Sequence, residues 1–315
     1  MKDKMTQIFT LEEVRDLNKD LVIRGANPGD ASHFVDLVNK QYLRKKDEKF
    51  FHWMFIRNHV PTKLITICER DKPIAFYGVL VLKLNNGLNC SLSVEIIIES
   101  EHRGRRLFLL LEDEAFKFAN EHEAVAMTVF PNYNGMKAHD KIKEWKTISK
   151  IDTLIFNCRD NLILRESSKL QDNQSELTFF KKDNNYRKWR FDESPVYKYD
   201  RIELEDNIFS ITKIFEDPEN KTRYGDIVDF ECELNNINQL KELFTRSCDY
   251  LSGQKVDFIT SWALPHTLLY RILISMGFVS TAQERYFCIR VLDPHYDYLS
   301  DIKNWHFVES DSEVY

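Results

Sequence analysis

Several patterns that identify common protein classes are missing from this chain of 315 residues. No apolar stretch approaches the roughly 20 residues needed to span a bilayer, so we expect no membrane-spanning helix. The nine histidines lack metal-ligand spacing and no Gly-x-Ser-x-Gly sequence occurs, which argues against a metalloenzyme or a serine hydrolase. The formal net charge of −6 gives no overall basic surface, so nucleic acid is not an expected partner.

The six cysteines form no Cys-x-x-Cys pair, and several lie in apolar stretches that resemble strands. We expect such thiols to be reduced and buried, which favours a cytoplasmic protein. Met1 to Glu12 is charged and lacks the apolar centre of a signal peptide, which favours the same location. With 43% hydrophobic residues, the chain is long enough for two domains with their own cores.

The most informative segment is a basic turn between a predicted strand, Leu92 to Ile98, and a predicted helix, Leu107 to Glu121. The turn reads Glu-Ser-Glu-His-Arg-Gly-Arg-Arg. A helix N-terminus offers backbone N–H groups, Gly104 lets the backbone approach an anion, and the arginines can pair with phosphate oxygens. A basic surface turn with salt bridges to nearby glutamates is the simpler interpretation.

The order of strand, basic turn, helix, strand and second helix resembles motif A of the GNAT acyl-CoA N-acyltransferases. The turn in that family reads Gln/Arg-x-x-Gly-x-Gly/Ala. Gly104 matches it, whereas Glu101 and Arg106 stand where Gln/Arg and a small residue are expected. The resemblance covers residues 20–157 and implies an α/β fold with mixed sheets.

A second match lies after the next strand. Phe130-Pro131-Asn132, followed by Trp145, resembles the Phe-Pro-Asn…Gly-Trp stretch of the long sugar-modifying members of the superfamily, with Glu144 in place of the glycine. This match directs attention to acceptors that are amino sugars.

The second half of the chain repeats the first in degraded form. Phe51 to Phe55 and Tyr186 to Phe191 are aromatic clusters, each followed by a proline and an extended segment. Val256 to Trp262 then predicts a strand with a helix after it. We therefore predict two tandem GNAT-like domains, residues 1–158 and 159–315, of which the second is degenerate and lacks an Arg-Gly-Arg turn.

The resemblance implies that an acyl-CoA is the co-substrate, that no metal takes part, and that the first domain binds the CoA. The residues expected to bind it are Ile98, Ser100, Arg103, Gly104, Arg105, Arg106, Leu107 and Asn132. Main-chain N–H groups near Ile98 to Ser100 are the expected oxyanion donors, because acyl transfer places negative charge on the thioester oxygen.

Four residues are candidates for proton transfer: Glu95, Glu99, His139 and Asp140. Glu95 and Glu99 share one face of the predicted strand, and two carboxylates there are unusual. Glu95 is the favoured base because it lies deeper in the strand, whereas Glu99 has pairing with the arginines of the turn as an alternative role. His139 lies near the place where many GNAT proteins carry a proton-donating tyrosine; an exposed helical histidine is the alternative.

The acceptor is inferred from resemblance to nucleotide-linked amino-sugar N-acyltransferases. It would be the amine of a dTDP-3-amino-3,6-dideoxyhexose, acylated with an acetyl or 3-hydroxybutanoyl group for O-antigen lipopolysaccharide or another surface polysaccharide. Side chains expected to stack on the base or to bind the diphosphate are Arg57, Trp189, Arg190, Trp262 and Trp305. For each tryptophan, core filling is the alternative.

The acidic tail Asp311-Ser312-Glu313 could hold the ammonium of the sugar or be disordered. Two other functions stay open. One is a Fem-like aminoacyl transferase, against which the acidic net charge and the CoA-suited turn count. The other is a non-catalytic GNAT-like binding module. A homo-oligomer is compatible with these two functions and with the N-acyltransferase.

Overall fold

The structure, a computed structural model, describes residues 10–42, 45–160 and 177–312 and divides into two compact units. Unit 1 is Met1–Leu82 with Asn89–Met127, and unit 2 is Lys83–Leu88 with Thr128–Tyr315. Both units combine helices with a β-sheet, so the predicted α/β class is confirmed.

The helices and strands alternate along most of the chain. The α-helices are Leu11–Leu17 (α1), Ala31–Gln41 (α2), Glu48–Phe55 (α3), Leu107–Glu121 (α4), Tyr133–His139 (α5), Asn184–Arg187 (α6), Ile237–Gly253 (α7) and Leu268–Ser275 (α8). The strands are Leu21–Gly25 (β1), Thr62–Glu69 (β2), Lys72–Lys83 (β3), Asn89–Ile98 (β4), Ala124–Val129 (β5), Lys146–Asn157 (β6), Tyr199–Glu205 (β7), Ile208–Glu216 (β8), Arg223–Glu231 (β9), Phe258–Trp262 (β10) and Val279–Val291 (β11). Helix α6 continues into a π-helical turn, Lys188–Asp192.

In unit 1 the strands follow the order β1-β2-β3-β4-β5, and β2 is antiparallel to both β1 and β3. Helix α4 packs on β2, β4 and α1, while α2 packs on α3. The ring centroid of Phe34 lies 5.5 Å from those of Phe51 and Phe55 in a buried aromatic core. A Cβ atom at Gly78 would lie 2.7 Å from the Phe55 ring, so glycine is what lets β3 pass this close to α3.

In unit 2 the order is β11-β6-β10-β9-β8-β7. Strand β6 is antiparallel to both β10 and β11, and β9 is antiparallel to β8 but parallel to β10. Parallel neighbours need a crossover connection, which α7 supplies. Helices α7 and α8 share one apolar core with β6, β9 and β10, in which Phe244, Ile259 and Leu273 are fully buried.

The element order is repeated along the chain. The first copy is β2-β3-β4-α4-β5-α5-β6, and the second is β7-β8-β9-α7-β10-α8-β11. This repetition agrees with the predicted tandem pair. The boundary predicted at residue 158 follows chain order and stays a prediction, because β6 packs between β10 and β11 of unit 2.

Candidate active site

The basic turn joins β4 to α4 in unit 1. A 3₁₀ turn, Ser100–His102, follows the strand, and α4 begins at Leu107 as predicted. Gly104 has a φ of 90° and Arg106 a φ of 60°, so both lie in the left-handed region that glycine adopts most easily. These are the two positions at which the GNAT turn carries small residues. Arg106 therefore has a backbone conformation that glycine adopts most easily, although its side chain departs from the family pattern.

The N-terminus of α4 differs from those of most helices in the described residues, because no side chain caps it. Side-chain oxygens of Thr10, Asp47, Asn132, Asp183, Asn236 and Thr267 cap α1, α3, α5, α6, α7 and α8. Helix α2 also lacks such a bond, but it continues from the 3₁₀ turn Pro28–Asp30. At the start of α4 the Leu109 N–H donates to the Arg106 carbonyl at 3.0 Å. The positive end of the helix dipole, without a side-chain cap, still presents an end suited to an anion.

Two arginines of the turn are held by neighbouring side chains. Arg103 donates to Gln41 Oε1 at 2.6 Å and to the Ile98 carbonyl at 3.3 Å. Arg105 donates to Glu69 Oε1 at 2.8 Å, and this bond lowers the pKa of the Glu69 carboxyl. Both guanidinium groups are thus held by partners outside α4, in the turn that precedes the helix.

The predicted oxyanion segment is partly engaged by the sheet. The Glu99 N–H donates to the Ile74 carbonyl at 2.9 Å, and the Ile98 carbonyl also accepts from Gln41 at 3.0 Å. The oxyanion role of the backbone from Ile98 to Ser100 stays a prediction.

Glu95 lies where the strand is irregular. Its φ of 49° is left-handed, a conformation typical of β-bulges, which place successive side chains on one face. Val94 accordingly approaches Gly78 next to Phe55 of α3, while the Glu95 carboxylate forms an ion pair with Lys46, just before α3. The Glu95 side chain is only 3% exposed, and any role as a base involves Lys46 as well.

Glu99 has partners other than the arginines proposed for it. Its carboxylate lies 3.6 Å from both Lys72 Nζ and His102 Nε2, and 3.9 Å from Lys40 Nζ. Glu99 forms no ion pair with an arginine of the turn among the described residues, so that predicted pairing is not observed. Its partners are two lysines and a histidine instead.

In unit 2, the predicted residues around α5 have structural partners. Asn132 Oδ1 accepts from the Gly135 N–H at 2.9 Å and caps the helix. His139 is buried, its ring lies 4.6 Å from that of Trp145, and burial lowers its pKa to about 4. Asp140 is exposed and accepts from Thr147 Oγ1 at 2.7 Å. His139 is therefore neutral near pH 7, and the exposed histidine of the alternative interpretation is not observed.

The three tryptophans expected to stack on a base lie in the core of unit 2. Trp189, Trp262 and Trp305 are at most 1% exposed. The indole N–H groups of Trp262 and Trp305 donate to Thr153 Oγ1 and to the Leu299 carbonyl. The three tryptophans therefore fill the core, which was the alternative interpretation, and present no exposed face for stacking.

The two arginines expected to bind a diphosphate differ in exposure. Arg190 is 4% exposed and donates to the Ser312 carbonyl at 3.2 Å. Arg57, in unit 1, is exposed just after α3. Of this predicted acceptor set, Arg57 alone has an exposed side chain.

Sequence reasoning missed two lysines, Lys46 and Lys182, and a polar network behind α4. In the network, the Tyr77 hydroxyl donates to Glu112 Oε2 at 2.8 Å and lies 2.7 Å from Ser93 Oγ. All three side chains are buried, so they tie α4 to β3 and β4. In the sequence, polar residues in apolar stretches were the available signal. The hydrogen bonds of the network could not be predicted, because they depend on how β3, β4 and α4 pack together.

The acidic tail is buried in unit 2 as far as it is described. Every residue from Trp305 to Ser312 is at most 6% exposed, which excludes a disordered tail over that range. Glu313 lies outside the described residues.

No helix in the described ranges is long and apolar enough to cross a membrane. Nor do those ranges bring together three or more His, Cys, Asp or Glu side chains as a metal site.

The fold is shared with solved N-acyltransferase structures. A GCN5-related N-acetyltransferase from Anabaena variabilis has a TM-score of 0.62 at 10% identity, over 87% of this chain and 73% of that one. Saccharomyces cerevisiae N-myristoyltransferase with bound myristoyl-CoA has a TM-score of 0.56 at 10% identity, over 92% and 81%. A GCN5-related glucosamine N-acetyltransferase region of a fungal GH3 β-N-acetylglucosaminidase has a TM-score of 0.54 at 10% identity, over 85% and 38%.

No family model and no curated protein matches the sequence. The structural similarity, at these low identities, establishes a GNAT-like fold and confirms the fold class predicted from the turn between β4 and α4.

Proposed function

We propose that this chain is an acyl-CoA-dependent N-acyltransferase whose acceptor is the amine of a nucleotide-linked amino sugar. The observation that carries the proposal is the uncapped N-terminus of α4, flanked by arginines, on a GNAT-like fold. The pyrophosphate of CoA would lie at this positive end of the helix dipole, next to the arginines of the turn. Since Arg103 and Arg105 are already held by Gln41 and Glu69, little side-chain conformational entropy would be lost on binding.

In the proposed reaction, the lone pair of the acceptor amine attacks the carbonyl carbon of the thioester. The C–N bond forms, the C–S bond breaks, and CoA leaves as a thiolate that takes up one proton. The amine nitrogen gives up one proton, which Glu95 accepts directly or through water. The buried, neutral ring of His139 makes water the favoured proton donor to the thiolate.

The base need not be strong. A sugar amine titrates near an α-amino group, at about 8, so neutralising it at pH 7 costs only about 1.4 kcal/mol. A positioned base then contributes roughly 10²–10⁴-fold to the rate. The ion pair with Lys46 holds the Glu95 carboxylate in place, and we prefer Glu95 to Glu99 because its side chain is more deeply buried, at 3% against 12% exposed.

Support for an amino-sugar acceptor is of two kinds. The Phe130-Pro131-Asn132 stretch resembles that of sugar-modifying relatives, and one protein with this fold is described as a glucosamine N-acetyltransferase region. Arg57 is exposed and remains our candidate for the diphosphate. We further propose that the product enters surface polysaccharide synthesis in the cytoplasm.

Thermal unfolding with CoA, acetyl-CoA, dTDP and UDP, singly and in pairs, tests the proposal. A ligand at 100 times its Kd stabilises the native state by about 2.7 kcal/mol, so binding raises the Tm. We expect a shift with CoA that increases with one of the nucleotides. Arg103→Met should weaken CoA binding by about tenfold, because one charged hydrogen bond is lost, whereas the exposed Arg201→Met in unit 2 should not.

If CoA gives no shift, the assignment as an acyl-CoA-dependent enzyme is lost, and either a non-catalytic binding module or a Fem-like aminoacyl transferase takes its place. If CoA binds but neither nucleotide adds to the shift, the acyltransferase stands and the nucleotide-sugar acceptor does not.

A further inference from the structure

The two halves of the chain share a ten-residue motif that extends beyond their aromatic clusters. Lys46–Phe55 reads KDEKFFHWMF, and Lys182–Phe191 reads KDNNYRKWRF. Both have Lys-Asp at the start, an aromatic residue at the fifth position, Trp at the eighth and Phe at the tenth. The motif therefore marks equivalent places in the two copies.

The two motifs begin in the same way, with an aspartate that caps the helix after it. Asp47 caps α3 by accepting from the Phe50 N–H at 3.1 Å, and Asp183 caps α6 by accepting from the Tyr186 N–H at 2.8 Å. Each lysine thus stands directly before the capping residue of an aromatic helix.

Both lysines pair with a carboxylate on the third strand of their copy. Lys46 pairs with Glu95, the seventh residue of β4, and Lys182 donates at 3.0 Å to Asp229, the seventh residue of β9. Both strands are irregular at this point, since Glu95 has a positive φ and the register of β9 shifts at Val228. The lysine–carboxylate pair is therefore duplicated together with the fold.

The copies differ in what else binds the lysine. Lys182 also donates to Ser310 Oγ at 2.8 Å and lies 2.7 Å from Asp311 Oδ1, so the C-terminal segment covers it. Its side chain is 6% exposed, against 17% for Lys46. An ammonium has three donors, and among the described residues Lys46 uses them for Glu95 alone, with the Phe50 ring 4.1 Å away.

We infer that the Lys46–Glu95 pair is the acceptor site of unit 1, and that the acceptor brings an anionic oxygen group against Lys46 where Asp311 meets Lys182 in unit 2. The C-terminal segment of unit 2 then occupies the position of the acceptor in the degenerate copy. The inference rests on the proposed function, because Glu95 is its proposed base. It adds the requirement that an acceptor carry a phosphate or carboxylate near its amine, and it makes Lys46 a specificity-determining residue.

The test measures anion binding to the CoA-bound chain by calorimetry, so that it needs no turnover. The probes are glucosamine, glucosamine 6-phosphate, muramic acid and dTDP, which separate a neutral amino sugar from phosphate and carboxylate sources. We expect at least one anionic probe to bind more tightly than glucosamine. Lys46→Met should lower the affinity for that probe by about tenfold or more, because a hydrogen bond between charged groups is lost. Lys46→Arg should retain most of the affinity.

Lys49→Met, an exposed lysine three residues away, is the matched control and should bind as the wild type does. Because Lys46→Met leaves the Glu95 carboxylate buried, Lys46→Met/Glu95→Gln provides a neutral pair whose folding is checked by circular dichroism. Equal affinity for anionic probes with and without Lys46, or no preference for them in the wild type, overturns the inference. If the wild type does not bind CoA, the proposed function is overturned instead, so the two failures are distinguishable.

Discussion

Lys182 Nζ lies 2.7 Å from Asp311 Oδ1, and this ion pair fixes the C-terminal segment inside unit 2. Burial alone would lower the pKa of Lys182, but Asp229 and Asp311 outweigh it and leave the pKa raised. Replacing Lys182 by methionine removes the cation and leaves two buried carboxylates. We expect Lys182→Met to lower the free energy of unfolding by about 3–5 kcal/mol, measured by urea unfolding with tryptophan fluorescence.

The exposed Lys49→Met should change the stability by less than about 0.5 kcal/mol. Lys46→Met, which leaves one buried carboxylate instead of two, should fall between these values. A loss of stability below about 1 kcal/mol for Lys182→Met would mean that the buried carboxylates of Asp229 and Asp311 do not need the lysine cation to compensate for their burial.

The left-handed residues of the basic turn allow a paired test. The left-handed conformation costs a residue other than glycine about 1–2 kcal/mol, and glycine gives back about 0.5–1 kcal/mol through its larger unfolded-state entropy. Arg106→Gly should therefore stabilise unit 1 slightly, by at most about 1.5 kcal/mol. Gly104→Ala should destabilise it by about 1 kcal/mol through backbone strain alone, because nothing lies within 4 Å of the added Cβ.

Chemical denaturation of both variants checks the two signs. Stabilisation by Gly104→Ala would mean that the left-handed backbone of Gly104 is not strained for alanine. Clear destabilisation by Arg106→Gly would mean that the side chain of Arg106 matters more to the turn than its backbone does.

The strongly periodic elements were predictable. Helix α4 has the bounds read from its apolar spacing, and β4 and β5 lie where apolar runs indicated strands. The start of β7 was not predictable, since the extended segment was expected directly after Pro195, whereas the strand begins at Tyr199. Its residues alternate between partly buried and exposed, so no apolar run marks where the strand begins.

The site was less predictable than the fold, for two reasons. A tryptophan suits both a core and a stacking surface, and burial of Trp189, Trp262 and Trp305 is a tertiary property. Lys46 and Lys182 read as surface charges, because their carboxylate partners lie 49 and 47 residues further along the chain. Only the register of β4 and β9 brings these partners together.

The Tyr77 network behind α4 provides a prediction about the integrity of the site. Tyr77→Phe removes a hydroxyl that bonds Glu112 and contacts Ser93 in the core, so we expect a loss of about 1–3 kcal/mol. The exposed Tyr133→Phe should have little effect. In a double-mutant cycle with Ser93→Ala, we expect a coupling of at least about 0.5 kcal/mol, and strict additivity would show that the two hydroxyls are independent.

The pH dependence of stability should report the burial of His139. Its pKa is about 4 in the folded state, because of burial, against 6.5 in the unfolded chain. As the pH falls from about 6.5 to 4, the unfolded chain gains a proton that the folded chain does not. The free energy of unfolding therefore falls over this window, by about 3 kcal/mol at about 1.4 kcal/mol for each pKa unit.

His139→Gln isolates this contribution, because glutamine retains an N–H donor for the Gly135 carbonyl but does not titrate. His306, whose pKa burial lowers to about 3, titrates in both proteins and cancels in the comparison. Urea unfolding at pH 7, 6, 5 and 4 should show the wild type losing more stability than the variant as the pH falls. Parallel pH profiles would mean that His139 is accessible enough to be protonated in the folded state, which would restore it as a candidate for proton transfer.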